Sequence, residues 1–199
     1  MEVKKEKVIL ERSFFARNSL EVARDILGHI LVRESSEGKT SGIIVETEVY
    51  RGEDDPASFA YRGRTKRSEP LYGSPGTAFV YMTYGMYYLL NIITEKENFP
   101  AAILIRAVEP LEGVELMKKR RKTNNIRNLA SGPGKLAQAF AIDLSLNGVD
   151  MTSPYSPLYV GEKKVEAKEL VWKPRIGIRE GTDRLWRVYV KDNPFVSKK

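Results

Sequence analysis

Two carboxylates and a phenol recur at every second position in Glu46-Thr47-Glu48-Val49-Tyr50. In an extended strand that spacing puts all three on one face. A carboxylate beside an aromatic can take a proton from water, which makes this face a candidate general-base site. The plainer reading is a solvated strand face. Asn91 interrupts an apolar run, Tyr87-Tyr88-Leu89-Leu90-Asn91-Ile92-Ile93. Its amide, buried without partners, would cost roughly 1–3 kcal/mol. It therefore either satisfies backbone groups or reads the edge of a ligand. Tyr84, before Gly85, is expected at a hairpin tip, either as an ordinary exposed aromatic or as a ring able to enter a nucleic-acid stack. Arg62-Gly63-Arg64-Thr65-Lys66-Arg67 and Lys118-Lys119-Arg120-Arg121-Lys122 concentrate positive charge. Such runs are either solvated faces or contacts along a phosphate backbone. Ser131-Gly132-Pro133-Gly134-Lys135 lacks Walker A spacing. Its N–H groups and Lys135 could hold one phosphate, or it is a plain helix start.

The elements that must carry these residues are legible from spacing. Ile43–Tyr50 reads as a strand, with Ile43, Val45, Thr47 and Val49 toward a core and Ile44, Glu46, Glu48 and Tyr50 on an open surface. Thr77–Thr83 and Met86–Thr94 read as a hairpin turning at Tyr84-Gly85. Ala102–Val108 is a further strand, with Arg106 near its end. Shorter strands are expected at Leu158–Val160, Arg175–Ile178 and Trp186–Lys191. Asn18 and Glu21 have the form of a capping box before a helix that ends at Gly28. Helices are also expected over Leu111 to about Lys122 and from Gly132 to about Ile142, and Asn147-Gly148 marks a tight turn. Helices do not alternate regularly with strands. The fold class is therefore α+β, one domain over residues 1–199 built on a curved, largely antiparallel sheet flanked by helices. About 1–10 and 197–199 are expected to fray.

Composition narrows the chemistry. The 199 residues include no cysteine, which excludes disulfides, thiolate metal sites and cysteine nucleophiles. The single histidine, His29, excludes a multi-histidine zinc site and reads as structural. A formal charge of +7 makes polyanions the first partner to consider. No apolar run approaches a membrane span, and Met1–Glu11 has no apolar stretch of a secretory signal. A soluble protein inside a cell, in the cytoplasm or nucleoid of a prokaryote or the nucleus of a eukaryote, is the expectation, with no membrane partner.

Several stretches together resemble the alkyladenine, or methylpurine-type 3-methyladenine, DNA glycosylases. They are Ala23-Arg24-Asp25-Ile26-Leu27-Gly28, Glu46–Tyr50, Pro75–Tyr81, Tyr84-Gly85-Met86-Tyr87, Asn91-Ile92, Ile105–Pro110 and Ser131–Leu136, in the family's order. The resemblance covers about residues 14 to 195. It implies a monofunctional enzyme that binds double-stranded DNA, extrudes a damaged purine of the 3-methyladenine, hypoxanthine or ethenoadenine class, and hydrolyses its N-glycosidic bond. It implies no metal or organic cofactor, and a monomer is expected. By resemblance, Glu48 is the general base and Arg106 positions the water and the flipped nucleotide. Tyr50 and Tyr81 sandwich the base, Asn91 discriminates against guanine, and Leu104 completes the base-binding set. Tyr84 fills the gap in the stack. From the basic run and the helix start, rather than from the resemblance, Arg62, Arg64 and Lys135 are the further expected DNA contacts. The chain departs from the family at Phe59, where a histidine is usual; a phenyl ring cannot make the imidazole's hydrogen bonds, which bears on the substrate range. Two other classes stay open on the residues alone: a non-catalytic nucleic-acid-binding module, and a hydrolase of free nucleosides.

Overall fold

A computed structural model describes residues 7–198. The eight strands are β1 (His29–Ser35), β2 (Gly38–Arg51), β3 (Ala78–Thr83), β4 (Tyr87–Ile93), β5 (Ala101–Glu112), β6 (Leu158–Lys163), β7 (Leu170–Lys173) and β8 (Arg187–Val190). They form one sheet in the order β3-β4-β5-β2-β1-β6. β8 adds to β2 and carries β7. Every pairing is antiparallel. Four short helices accompany the sheet: α1 (Arg12–Phe15), α2 (Ser19–Asp25), α3 (Val114–Arg121) and α4 (Pro133–Ala139). The α+β expectation therefore holds. None of the described helices is long and apolar enough to cross a membrane.

β2 organises the site. It pairs with β5 along its length, while its other edge meets β1 over residues 38–43 and β8 over residues 46–48. Glu46–Glu48 thus lie between two strands, and both carboxylates are buried rather than on an open surface. The strict alternation expected over Ile43–Tyr50 also breaks. Opposite β5 the register runs Ile44↔Val108, Glu46↔Ala107, Thr47↔Ile105, which leaves Val45 and Arg106 out of the ladder as bulges. Ile44, not half-buried Ile43, consequently joins the main core, and Thr47 donates its hydroxyl to Ala23 O at 2.9 Å.

The β3–β4 hairpin turns where expected. Tyr84 and Gly85 both have positive φ, 52° and 68°, and Met86 N–H donates to Thr83 O. Asn18 caps α2 through Leu20 N–H. Other expectations need correction. β5 runs on through Pro110 and Leu111, so α3 begins only at Val114. Pro110 is tolerated in the strand because it sits beside a register shift, between the pairs Ser41↔Glu112 and Gly42↔Pro110. Residues 175–178 are not a strand; they form a loop, and the preceding strand is β7. The termini are held more than expected. Leu10 N–H donates to Val160 O, and Ser197 is bonded to Glu46. Of the segments expected to fray, residues 1–6 and 199 lie outside the described residues. His29 Nδ1 sits 2.9 Å from Gly161 O, in a packing position away from the carboxylates.

Candidate active site

β2, β5, the β3–β4 hairpin, α4 and the 175–178 loop enclose a pocket of about 570 Å³, within the range of small-molecule sites. Tyr50, Phe59, Tyr81, Leu104 and Arg106 line it. Tyr84 and Lys135 also reach it. Tyr84 is 84% exposed at the tip of the hairpin, where the sequence placed it. Phe59 meets Tyr81 edge-on, with ring centroids 4.9 Å apart. Behind these rings a cavity of about 30 Å³ is lined by Tyr50, Phe59, Tyr81 and Asn91, enough for one water. Asn91 Nδ2 donates to Phe79 O at 3.2 Å. The amide therefore satisfies a backbone carbonyl, the first of the two readings open to it, and also lines the recess.

Glu48 lies beneath the pocket floor, fully buried. Its Oε1 accepts the Ile176 N–H at 2.7 Å, and its Oε2 accepts the Tyr50 hydroxyl at 3.0 Å. Arg106 Nη1 is 3.1 Å from the same Oε2. All three partners line the pocket. Burial pushes the Glu48 carboxyl above its ordinary range, opposed by Arg106 and by the Ile176 and Tyr50 hydrogen bonds. Burial, then the neighbouring Glu48 charge, drives the Tyr50 phenol well above its ordinary value, so it stays a proton donor. Burial also pushes Tyr81 up to about 12.

Glu46, its neighbour on the strand, is differently placed. It accepts from Arg106 Nε at 3.0 Å, Arg187 Nη1 at 3.0 Å, and the Ser197 N–H and hydroxyl at 2.7 and 2.9 Å. A carboxylate has about four acceptor positions. Glu46 has four donors; Glu48 has three. For Arg106, burial alone would weaken the proton's hold, but Glu48 and Glu46 more than offset this and keep it charged.

Several of these partners were not foreseen. Arg175 and Asp55 form a fully buried two-pronged ion pair, at 2.6 and 2.7 Å, and Arg175 also donates to Val49 O. The guanidinium lies 4.7 Å from the Tyr50 ring centroid. This pair anchors the loop that delivers the Ile176 N–H. It joins residues 120 apart in sequence, so no local spacing announces it.

Not every expected contact converges. Arg62 is exposed and does not line the pocket, and Arg64 is occupied by Glu69 through both prongs at 2.8 Å. In the second run, Arg120 bonds Glu37 and Ala139 O, a structural use. Arg121 bonds Leu129 O and lines the pocket. Lys135 bonds Asn128. Gly134 has a packing reason: a Cβ there would lie 3.1 Å from the Tyr87 ring.

Residues 13–194 match the family described as Methylpurine-DNA glycosylase (MPG). Three curated relatives carry the provisional name 3-methyladenine DNA glycosylase. The one from Prosthecochloris aestuarii is 48% identical over 189 residues, 94% of this chain and 90% of the relative. That from Carboxydothermus hydrogenoformans is 46% identical over 192 residues, 96% of this chain and 100% of the relative. That from Methanocella arvoryzae is 48% identical over 195 residues, 96% of each. With a match spanning nearly the whole chain and relatives of this closeness, the chain belongs to the methylpurine-DNA glycosylase family, DNA-repair glycosylases of alkylated purines.

Proposed function

We propose that this glycosylase takes a damaged purine, extruded from duplex DNA, into the pocket between Tyr50 and Tyr81 and hydrolyses its N-glycosidic bond with Glu48 as general base. The observation that carries the reading is the contrast between the two carboxylates: Glu46 is saturated with donors, whereas Glu48 keeps one acceptor position and is bonded only to groups that line the pocket. A water in that position can give its proton to Glu48. Its oxygen bonds C1′ as the C1′–N9 bond breaks. The electron pair leaves with the purine, and an abasic site remains. The sugar passes through an oxocarbenium-like state, which the ionised Glu48 also stabilises.

The other residues then have distinct work. Arg106, held by both carboxylates, orients the water and the nucleotide. The aromatic walls return part of the stacking lost on extrusion. Asn91, at the inner recess, discriminates at the purine edge, and the Phe59 backbone N–H offers a donor there in place of the missing imidazole. Tyr84 enters the vacated space in the duplex, and Lys135 holds a phosphate. Hypoxanthine, ethenoadenine and 3-methyladenine are the proposed lesions, and the step opens base-excision repair. The test is incubation with duplexes carrying each lesion, followed by alkali to cleave at abasic sites. Strand cleavage dependent on the lesion is expected. Binding without cleavage would point to a non-catalytic module, and activity on free nucleosides alone to a nucleoside hydrolase.

A further inference from the structure

Arg67 stands apart from the other cations of its run. Its guanidinium lies 4.0 Å from the centroid of the Phe59 ring, and both residues line the pocket. Among the described residues it has neither a carboxylate at ion-pair distance nor a hydrogen-bond acceptor, whereas neighbouring Arg64 is paired with Glu69. The turn that presents it is fixed. Thr65 N–H donates to Ser68 Oγ at 2.8 Å, Ser68 Oγ donates to Gly63 O at 2.9 Å, and Glu69 N–H donates to Thr65 O at 2.8 Å.

Charge around the pocket is one-sided. Arg67, Arg106, Arg121 and Lys135 line it, and no Asp or Glu does. Arg106 is compensated from behind by Glu46 and Glu48. Arg121 and Lys135 belong to the wall made by α3 and α4. Arg67 is the cation on the side of the inner recess, because the ring beneath it packs on Tyr81 and shares that recess with Asn91. Its charge reaches the pocket interior: after burial, which raises the Tyr81 phenol, Arg67 is the largest opposing influence on it.

We propose that Arg67 is a specificity-determining residue that biases the pocket toward electrically neutral damaged purines over cationic ones. The inference deepens the function proposed above and rests on it. A purine alkylated on a ring nitrogen, such as 3-methyladenine, carries a formal positive charge in DNA and departs as a neutral base. A deaminated purine, such as hypoxanthine, is neutral in DNA and departs with the electron pair of the broken bond, so negative charge grows on it. As either base leaves it gains the same negative charge, so a fixed cation assists both departures alike once bound. Relative to free DNA, however, the cation disfavours the positively charged lesion and its transition state and favours the neutral one, so the bias is expressed in kcat/KM. The face of Phe59 holds the guanidinium there through its π electrons, a contact that needs no hydrogen bond from the ring.

The test compares the unaltered protein with Arg67→Met, which keeps a stem and loses the charge, and Arg67→Lys, which keeps a charge. Release is measured as kcat/KM, with the enzyme well below saturation, from a hypoxanthine duplex and from methylated duplex DNA in which freed 3-methyladenine is counted. The ratio of hypoxanthine to 3-methyladenine rates should fall by about tenfold or more in Arg67→Met, the scale expected for a nearby unit charge in a partly screened site, and should be largely kept in Arg67→Lys. An equal fall on both substrates would make Arg67 a packing or DNA-holding residue and overturn the proposal, as would an unmoved ratio. Release of neither base by the unaltered protein would overturn the underlying reading of the pocket, a result distinct from either.

Discussion

The Glu48→Gln substitution keeps the side chain's volume and an acceptor for the Ile176 N–H, which now lies 2.7 Å from Oε1, but removes the basic carboxylate. Loss of a positioned general base costs about 10²–10⁴ in rate, so single-turnover release should fall by that factor while lesion binding stays within about tenfold. Stability should change far less. Burial raises the folded-state carboxyl above its ordinary value of 4.5. The stabilisation tied to the protonated form is complete below the unfolded value and is lost as pH rises through the folded one. At pH 7 the native chain therefore carries a cost that the amide does not, which offsets the lost pair with Arg106, so Glu48→Gln should melt within a few degrees of the native temperature and compare less favourably toward pH 4. Glu46→Gln supplies the contrast. It strips the charge from a fully buried carboxylate bonded to Arg106 and Arg187. Breaking a buried pair costs about 3–5 kcal/mol, and at roughly 2–4 °C per kcal/mol for a chain of this size the melt should fall by about 6–20 °C. Circular-dichroism melts and an abasic-site assay on the same preparations measure both. Near-native turnover in Glu48→Gln, or a melt as depressed as that of Glu46→Gln, would refute the reasoning and leave Glu48 as a structural ion-pair member.

Three other outcomes follow from single contacts. Tyr50→Phe keeps the ring but removes the hydroxyl that donates to Glu48, a bond that favours the ionised carboxylate; the acid limb of the pH–rate profile should move to higher pH, and an unmoved limb would mean that Glu48 does not set it. Removing residues 195–199 deletes the Ser197 bonds to Glu46 and Arg106 and the Lys198 carbonyl that accepts from Arg187. That truncation should lower kcat more than it changes KM, whereas Ser197→Ala, which keeps the backbone N–H, should lose only several-fold, on the scale of one hydrogen bond. Tyr84→Ala, at an exposed tip, should leave the melt unchanged and slow excision by roughly five- to a hundredfold in a paired duplex, on the scale of base–aromatic stacking, with a smaller loss opposite a mispair; equal losses on the two duplexes would remove its role in the stack.

What the sequence made legible was local. The hairpin at Tyr84-Gly85 could be read because two consecutive positive-φ residues were needed and Gly85 supplied one of them. The strand at Glu46–Tyr50 could be read from period two, and Asn91 from its contrast with the apolar residues around it. The burial of the Glu46–Tyr50 face could not be read, because the groups that close over its carboxylates, Arg106, Ile176, Arg187 and Ser197, all come from at least 58 residues away. Nor could the bulges at Val45 and Arg106, since each exists only relative to its partner strand. Pro110 shows the same limit: read as a helix boundary, it lies inside a strand and is paired with Gly42, far upstream.

The distinction that matters most for chemistry lies in the same blind spot. By type, face and neighbours, Glu46 and Glu48 are equivalent in the sequence, and only the resemblance favoured Glu48. What separates them physically is closure by distant chain. The C-terminal residues Arg187 and Ser197 saturate Glu46. The loop pinned by the Arg175–Asp55 pair gives Glu48 a single N–H, from Ile176. A carboxylate with every acceptor position filled by two guanidiniums and a serine is a poor base, because taking a proton would disrupt each of those bonds. One that is buried, pushed upward in pKa and short of one donor can take it at smaller cost. The residues that make this difference are the ones local spacing could not find, so in the proposed mechanism the choice between two identical side chains falls to segments that carry no recognisable motif of their own.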